Sequence, residues 1–576
     1  MARWRGKLAD WLYAEPPTLP LPGETVPAPI QQALWQRGLR APQALQAYFE
    51  PRLQSLPDPS TLPDIEIALV KLHQALHERW PIYVVADYDV DGTTAAALLA
   101  DFFRAFGLPA YFIHLPDRFE EGYGVSDKAV EKAIRGGYKL FLTVDCGTKD
   151  KEALEKVKAA GLTVLVLDHH VVGEGDPYPP ADAFVNPQRP DSPYPNPHLS
   201  AAALTYRVLQ AYLDRYGGPS EILEEGLELV ALSLLADVMP LTGENRILAY
   251  WGLQRLREGA RPGLLYLMQQ AGLAVGTLRR SRQVVFQLVP RLNAAGRLCH
   301  PRYAFYLLYE RNDHDRLQET AKYLSTLNCR RQRLQEAALQ EALTQLEGRH
   351  PGFSLGGEAV PPALVAWSPD WSKGVVGLVA AKLTERFHRP AFVLRQEGAL
   401  LTGSARSPVG ISLTEILKGL PRSYLLRYGG HERAAGLTLE VTHIEAFLQA
   451  VMQEAARYLP PRPTENLDAI VDVRVHALSE LARWSERFEP VGPANEAPRF
   501  LLPHLRTQEL RDGVCILVAP DGRIYNGYLD PLHAPLLREA LASPRAVSVV
   551  ATPRLNNQGT VFLSLRDVVE SGPLTP

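Results

Sequence analysis

The sequence predicts an α/β protein: a parallel-sheet domain joined by a long helix to a smaller α/β domain, with a C-terminal β-barrel of the OB type. Three observations predict it. Apolar, β-prone runs end on acids in IYVVADYDVDG, FLTVDCG and LTVLVLDHH, and helical patterns lie between them, as in βαβ units on a parallel sheet. From Asp313 to about Glu347 the chain is rich in Leu and Ala and free of proline, so it reads as one helix acting as a semi-rigid strut. Near the C-terminus, short strand patterns alternate with turns in GVCILVAPDGRIYNGYL and AVSVVATPRLNNQGTVFLSLRDVV, which suits a small barrel.

In chain order, residues 1 to about 60 are Pro-rich and weakly periodic, an N-terminal extension with a short helix or two around Ile30 to Tyr48. TTAAALLADFFRAF after Asp91 reads as a helix with Thr93 near its start, and EALEKVKAAG after Asp150 as another that ends at a glycine. After the strut, ALVAWSPDWSKGVVGLVAAKLTERF and PAFVL begin the second lobe, which runs to about residue 458. The cluster Pro460, Pro461 and Pro463 marks its boundary with the barrel.

Composition narrows the class. With 46% hydrophobic and 22% charged residues over 576 positions, the chain is an ordinary globular protein of several domains. No apolar run suits a bilayer span, and MARWRGKLADW lacks the features of a signal peptide, so the expectation is a cytoplasmic protein without membrane contact. Cys146, Cys299, Cys329 and Cys515 are far apart, which suggests neither a disulfide framework nor a zinc knuckle. A net charge of −3 argues against indiscriminate polyanion binding, so any nucleic-acid path must be a local basic stripe. No phosphate-binding G-x-x-x-x-G-K-[ST] loop occurs, which sets aside an ATP-driven helicase.

The acids carry the chemistry. Ligands of open α/β sheets sit beyond the carboxyl ends of the strands, so Asp87, Asp145 and Asp168 should converge in one crevice. Converging carboxylates protonate unless a cation sits among them, and a pair of divalent ions is the economical candidate. In DYDVDG, Asp87, Asp89 and Asp91 place oxygens around a turn that Gly92 lets bend tightly; a solvated turn or a helix cap explains that motif equally well when it is taken alone. An EF-hand is disfavoured because no glutamate stands at the twelfth position. Asp168 with His169 and His170 mixes carboxylate and imidazole, which favours Mn²⁺ over Ca²⁺ or structural zinc. Asp237 ends an apolar helical run in ELVALSLLADVMPL, where a cation would account for a buried acid.

The ordered motifs DYDVDG, TVDCG, LDHH and LLADVMPLTGENR resemble the DHH phosphoesterase superfamily. LPDRFEEGYG, VPRLNAAGR, the Leu327-Asn328 helix with Arg330, Arg331 and Gln332, GSARS and YGGHERAAG are similar to blocks of its RecJ family of single-strand-specific exonucleases. That resemblance implies a DHH catalytic domain over 61–312, a connecting helix over 313–347, a DHH-associated domain over 348–458 and an OB-fold domain over 463–576. It implies that Asp87, Asp89, Asp145, His169 and Asp237 ligate one or two Mn²⁺ or Mg²⁺ ions, with Asp91, Asp168 and His170 completing the catalytic set. Asp145 is the choice for a bridging carboxylate, and His170 for an orienting group or proton donor to the leaving oxygen. Substrate contacts are expected from Arg118, Asn293, Arg297, Ser404, Arg406, Ser407, Gly429, Gly430 and His431. GSARS is expected to form a polar turn, as is the Gly429-Gly430-His431 segment.

The implied activity is two-metal hydrolysis of single-stranded DNA from 5′ to 3′ in recombination and repair. The implied protein is a monomer, with single-strand-binding protein or a helicase as partner. Ala86 stands where the family pattern has Gly, and EPVGPANEAPRF is a loose version of its glycine-rich turn. Two rival classes are a DHH phosphodiesterase of small nucleotides or oligoribonucleotides, which is typically shorter, and a non-catalytic DNA-binding scaffold, which has no need for the full set of acids. Arg279, Arg280 and Arg282, and again Arg330, Arg331 and Arg333, form basic clusters that could track a strand, though a solvated helix face explains the second equally well. Trp367, Trp371, Tyr428 and Tyr525 are candidate stacking groups, for each of which a core position is the commoner explanation.

Overall fold

The computed structural model describes residues 25–173, 175–353, 360–458, 467–474, 476–511, 513–529, 541–542, 546–556 and 558–570. The first sheet is parallel throughout. Its strands β1 (Ile82–Ala86), β2 (Tyr111–His114), β3 (Leu140–Val144), β4 (Thr163–Leu167) and β5 (Ala183–Val185) lie in the order β2-β1-β3-β4-β5. Every residue of β1 and β3 is buried, as expected of strands covered on both faces. The chain leaves β1 toward β2 on one side and returns on the other at β3, so the order reverses between β1 and β3. In this topology that reversal opens a crevice at the carboxyl edge.

The helix Val90–Ala105 begins three residues before Thr93, because Asp89 caps it by accepting from the Asp91 amide (2.8 Å) and the Gly92 amide (3.3 Å). Helices Ala201–Tyr216, Glu221–Ala236 and Gly243–Gly259 complete the core of the first lobe around it. The connecting helix His314–Arg349 has 36 residues and is about 54 Å long at the helical rise. Its first half buries Leu317, Ala321, Leu324 and Leu327 in the core of the first lobe. Its second half buries Ala338, Leu339, Ala342, Leu343 and Leu346 with Val376, Val379 and Leu383 of the second. Shared by two cores, it is a strut that joins the lobes.

The second lobe holds a mixed sheet. Strands β6 (Leu364–Ser368), β7 (Ala391–Glu397), β8 (Leu400–Arg406), β9 (Arg427–His431) and β10 (Ala434–Glu440) lie in the order β6-β7-β8-β10-β9. Two sequence expectations are corrected here. Gly403–Arg406 of GSARS end strand β8, paired with both β7 and β10, with Ser407 just beyond, and Gly429-Gly430-His431 belongs to strand β9 rather than to a turn. The reason is packing: the space a Cβ at Gly403 would need is taken by the Val393 carbonyl of the neighbouring strand, so this glycine serves strand contact.

The C-terminal strands β11 (Ala469–Ile470), β12 (Phe500–Arg511), β13 (Val514–Val518), β14 (Ile524–Leu529), β15 (Val547–Leu555) and β16 (Val561–Glu570) include a closed five-stranded barrel, β12-β13-β14-β16-β15 and back to β12, with β14 and β16 parallel. That order is the OB-type topology. Its core contains Phe488, Phe500 and Leu502 together with Val26, Ile30, Leu34 and Leu45 of helices Ala28–Gln36 and Pro42–Phe49 and the residues before them. Residues 26–49 therefore cover one side of the barrel, fastened by the Arg37–Asp468 ion pair at 2.5 Å, while the first 24 residues of the Pro-rich stretch lie outside the described residues. Among the described residues, no helix is long and apolar enough to cross a membrane.

Candidate metal and phosphodiester site

Strand register builds the site. Ala86 is opposite Val144 and Val144 is opposite Leu167, so the residues that follow, Asp87, Asp145 and Asp168, stand in a row across three strands spaced about 4.8 Å apart. Asp87, Asp145 and Asp168 are buried, at 4%, 4% and 1% exposure. Asp145 adopts a positive φ of 62°, which turns the chain sharply off β3. Gly92 is obligatory nearby, since a Cβ there would overlap the Asp87 backbone.

His169 is the hub. Its Nε2 lies 3.1 Å from Asp145 Oδ1, 3.4 Å from Asp91 Oδ2 and 3.8 Å from Asp237 Oδ2. Three overlapping groups have ligand atoms close enough to share an ion: Asp87, Asp89 and Asp145; Asp91, His169 and Asp237; Asp145, Asp168, His169 and His170. Asp145 belongs to two of them, the position a bridging carboxylate needs. Asp237 caps the helix Glu221–Ala236 and keeps 35% of its side chain exposed.

The charges are unbalanced without a cation. Burial, reinforced by Asp91, Asp89, Asp87 and Asp237, holds the Asp145 carboxyl well above the usual range. Burial and the neighbouring Asp89 do the same to Asp87. Desolvation with Asp91 and Asp89 pushes Asp237 up to about 8. Asp87 Oδ1 and His169 Nδ1 are buried without a hydrogen-bond partner among the described residues. Crowded carboxylates, an imidazole and orphaned donor atoms fit a site for hard divalent cations.

Asp91 and Asp168 have other work. Asp91 accepts from the Ala201 and Ala202 amides at 2.8 and 3.0 Å and from the Ser233 hydroxyl at 2.6 Å. Asp168 takes the Thr148 amide at 3.0 Å and His170 Nδ1 at 2.7 Å. Although burial opposes it, that bond and the imidazolium charge keep Asp168 well below the usual carboxylate range. Burial opposes charge on His170 as well, yet Asp168 raises the imidazole to about 9. Tyr123, which sequence reasoning left without a role, donates to the Asp145 carbonyl at 3.0 Å and lies 3.2 Å from the His170 ring. The flanking glycines in EEGYG, Gly122 at φ 83° and Gly124 at φ 92°, were the available signal.

Facing the acids is a cationic wall drawn from both lobes and the strut. Arg297 sits at the end of the helix Val289–Leu298, which follows a π-helical turn over Val284–Leu288, a feature frequent at functional sites. Burial together with Arg118, Arg331 and Arg406 lowers its pKa to about 10. Arg118 of the first lobe lies over the Tyr88 ring at 5.1 Å. Burial first and then the charge of Arg118 lower the pKa of Arg406 of the second lobe, so the two guanidinium groups lie within electrostatic reach of each other. His431 is exposed at the end of β9, and partial desolvation with Arg406, Lys149 and His170 lowers its pKa. A Cβ at Gly377 would lie 3.2 Å from the Ser404 hydroxyl and 3.3 Å from Arg406 Nη2. Ser407 Oγ is buried and unpartnered among the described residues. Asn293 accepts the Val90 amide at 3.1 Å, tying the arginine helix to the acidic loop.

Not every candidate meets here. Arg280 is bound to Glu486 at 2.7 Å and to the Leu555 carbonyl, so it anchors the barrel and is not open to a strand. Trp371 and Tyr525 are buried, Trp367 is half-buried beneath Arg349, and Tyr428 is 46% exposed.

Comparison with known proteins agrees with this geometry. The model of the DHH family, N-terminal domain, matches residues 81–234, and the DHHA1 domain model matches 361–457. The chain is 34% identical over 458 residues to the single-stranded-DNA-specific exonuclease RecJ of Escherichia coli (strain K12), covering 77% of each protein. The chain belongs to the RecJ family. It superposes on the crystal structure of RecJ from Thermus thermophilus in complex with Mn²⁺ with TM-score 0.77 and 29% identity, over 100% of this chain and 78% of that one. The RecJ complex with Mg²⁺ from the same organism gives 0.71 and 27%, over 99% and 77%.

Proposed function

We propose that this chain is a metal-dependent exonuclease that degrades single-stranded DNA in the 5′ to 3′ direction during recombination and repair. It works in the cytoplasm as a monomer, on strands supplied with the help of a single-strand-binding protein or a helicase. The observation that carries the reading is the opposition of the acid row, Asp87, Asp145 and Asp168, to the guanidinium wall, Arg118, Arg297 and Arg406. The first suits divalent cations and the second suits a phosphodiester. Direction and partners come with the family.

Asp87, Asp89, Asp145, His169 and Asp237 would hold Mn²⁺ or Mg²⁺, which when bound supplies Lewis acidity toward phosphate and a water of lowered pKa. Arg118, Arg297 and Arg406, with Ser404, Ser407 and the exposed Gly429-Gly430-His431 strand, orient the phosphate oxygens against the acid row. His170, bonded to Asp168 and adjoining the Tyr123 hydroxyl, would pass a proton to the leaving oxygen, a role that the raised basicity of its imidazole supports. A cleft walled by two lobes and a strut admits a flexible single strand and excludes a stiff duplex.

The test is digestion of end-labelled single-stranded and duplex DNA, and of cyclic dinucleotides, with Mn²⁺ or EDTA, comparing the chain with Asp145→Ala. Expected is shortening of the single strand only, with Mn²⁺ only, and none by the variant. Equal digestion of duplex removes the specificity, cleavage in EDTA removes the mechanism, and preference for cyclic dinucleotides favours the small-nucleotide class.

A further inference from the structure

The helix His314–Arg349 carries Arg330, Arg331 and Arg333 within four positions, and packing separates them. Arg330 and Arg333 are exposed, whereas Arg331 is half-buried. Arg331 Nε donates to Asn328 Oδ1 at 3.2 Å and its Nη1 to Gln335 Oε1 at 2.9 Å. Asn328 is 2% exposed. Partners one turn before and one turn after on the same helix face thus fix the guanidinium plane.

Both partners are neutral amides. Three buried arginines are neutralised by carboxylates, Arg207 by Glu244, Arg261 by Glu228 and Asp101, and Arg189 by Asp64 and Asp191, whereas buried Arg246 is met by a full set of backbone carbonyls. Arg331 has no carboxylate among the described residues and stands instead in the field of Arg297. Burying a guanidinium against neutral groups beside like charge costs free energy unless an anion completes its surroundings.

Position indicates which anion. Arg118 acts electrostatically on Asp87 and Arg297 on Asp89, so these two stand beside the acid row. Arg331 stands on the strut alongside the helix that carries Arg297, the two helices being tied where Arg291 Nε donates to Ser325 Oγ at 3.1 Å. Resting on the single-strand nuclease reading, we propose that Arg331 grips an internucleotide phosphate in the uncleaved part of the strand, next to the phosphate undergoing reaction. The strut then sets the register in which the strand advances.

The experiment is equilibrium binding of fluorescein-labelled oligothymidylate in EDTA across a salt series, for the full chain and for Arg331→Gln, Arg331→Lys and Arg330→Gln. Arg331→Gln should weaken binding about tenfold near 0.1 M salt and lower the slope of log K against log salt by about 0.7. Arg331→Lys should keep the slope, Arg330→Gln should match the parent, and competition by thymidine 5′-monophosphate should be unchanged in all. Equal effects at positions 330 and 331 would overturn the proposal, as would a fall in the melting midpoint of Arg331→Gln with the slope intact. Failure of the parent chain itself to bind oligothymidylate would instead remove the nuclease reading.

Discussion

Asp91 Oδ1 lies 2.6 Å from the Ser233 hydroxyl, which donates to it, at the point where the first turn of the helix Ala201–Tyr216 also delivers two amides to the same carboxylate. Its charge is thereby matched by a helix N-terminus. Asp145, a neighbour through His169, is surrounded by carboxylates. Neutralising the two should have opposite effects on the metal-free protein. Asp91→Asn should destabilise it by about 2 kcal/mol, lowering the melting midpoint in EDTA by several degrees. Asp145→Asn should raise that midpoint at neutral pH, since it removes a buried carboxyl that the folded state keeps protonated while the unfolded chain ionises it. Calorimetry in EDTA separates them, and both variants should lose nuclease activity.

Stability of the metal-free protein should fall as pH rises from about 5 to 9. Asp237, raised to about 8, and the raised Asp87 and Asp145 hold protons that the unfolded chain has released, so the folded state binds more protons and each unit of pH weakens it. His170, raised to about 9, acts in the same direction, because its stabilisation is complete below its unfolded value and is lost through the folded one. Depressed Asp168 works in a separate window, losing its contribution only as pH drops below the ordinary carboxylate range. Saturating Mn²⁺ should flatten the slope and raise the midpoint most at high pH. A midpoint in EDTA that climbs between pH 5 and 9 would contradict this.

The row of acids was legible in the sequence because strand-end position is a local property: an apolar run that stops at Asp fixes both the element and the edge. The barrel was legible for the same reason, through alternation and turns. GSARS was not, since glycine in a strand is indistinguishable from glycine in a turn until the neighbouring Val393 carbonyl is known. Nor could the sequence separate Arg331 from Arg330, or show that Arg280 is consumed by Glu486, because both depend on segments far away in the chain. Asp91 looked like a neighbour of ligands, and its tie to Ala201 became visible only when the two helices met.

Arg246 should prove the bolt that fixes the barrel to the catalytic lobe. It is 4% exposed, donates to the carbonyls of Phe488, Glu489, Pro490 and Tyr48, and lies 3.9 Å from the Tyr48 ring centroid. Arg246→Lys keeps the charge but cannot reach these carbonyls with one ammonium. Orphaning several buried acceptors should cost about 3 kcal/mol. Limited proteolysis should then release the barrel together with the N-terminal helices, since these share one core. Digestion of short oligonucleotides should persist while affinity for long strands falls.

Gly374→Ala should loosen the cleft without unfolding either lobe. Gly374 opens the helix Lys373–Phe387 of the second lobe, and the place a Cβ would occupy is already filled by the Arg297 carbonyl. Arg297 Nη1 also reaches the Gly374 carbonyl at 3.5 Å, so one residue of the first lobe meets this glycine through both backbone and side chain. Each lobe keeps its own apolar core and the strut is untouched, so the melting midpoint should move by no more than a few degrees. An added methyl group must instead push Arg297 away from Arg406, widening the cationic wall where the phosphate is to be gripped. KM for single-stranded DNA should rise about tenfold, with kcat reduced less, because the acid row is anchored on the far side of the cleft. A variant with unchanged KM would show that the lobes meet here without setting the width of the cleft.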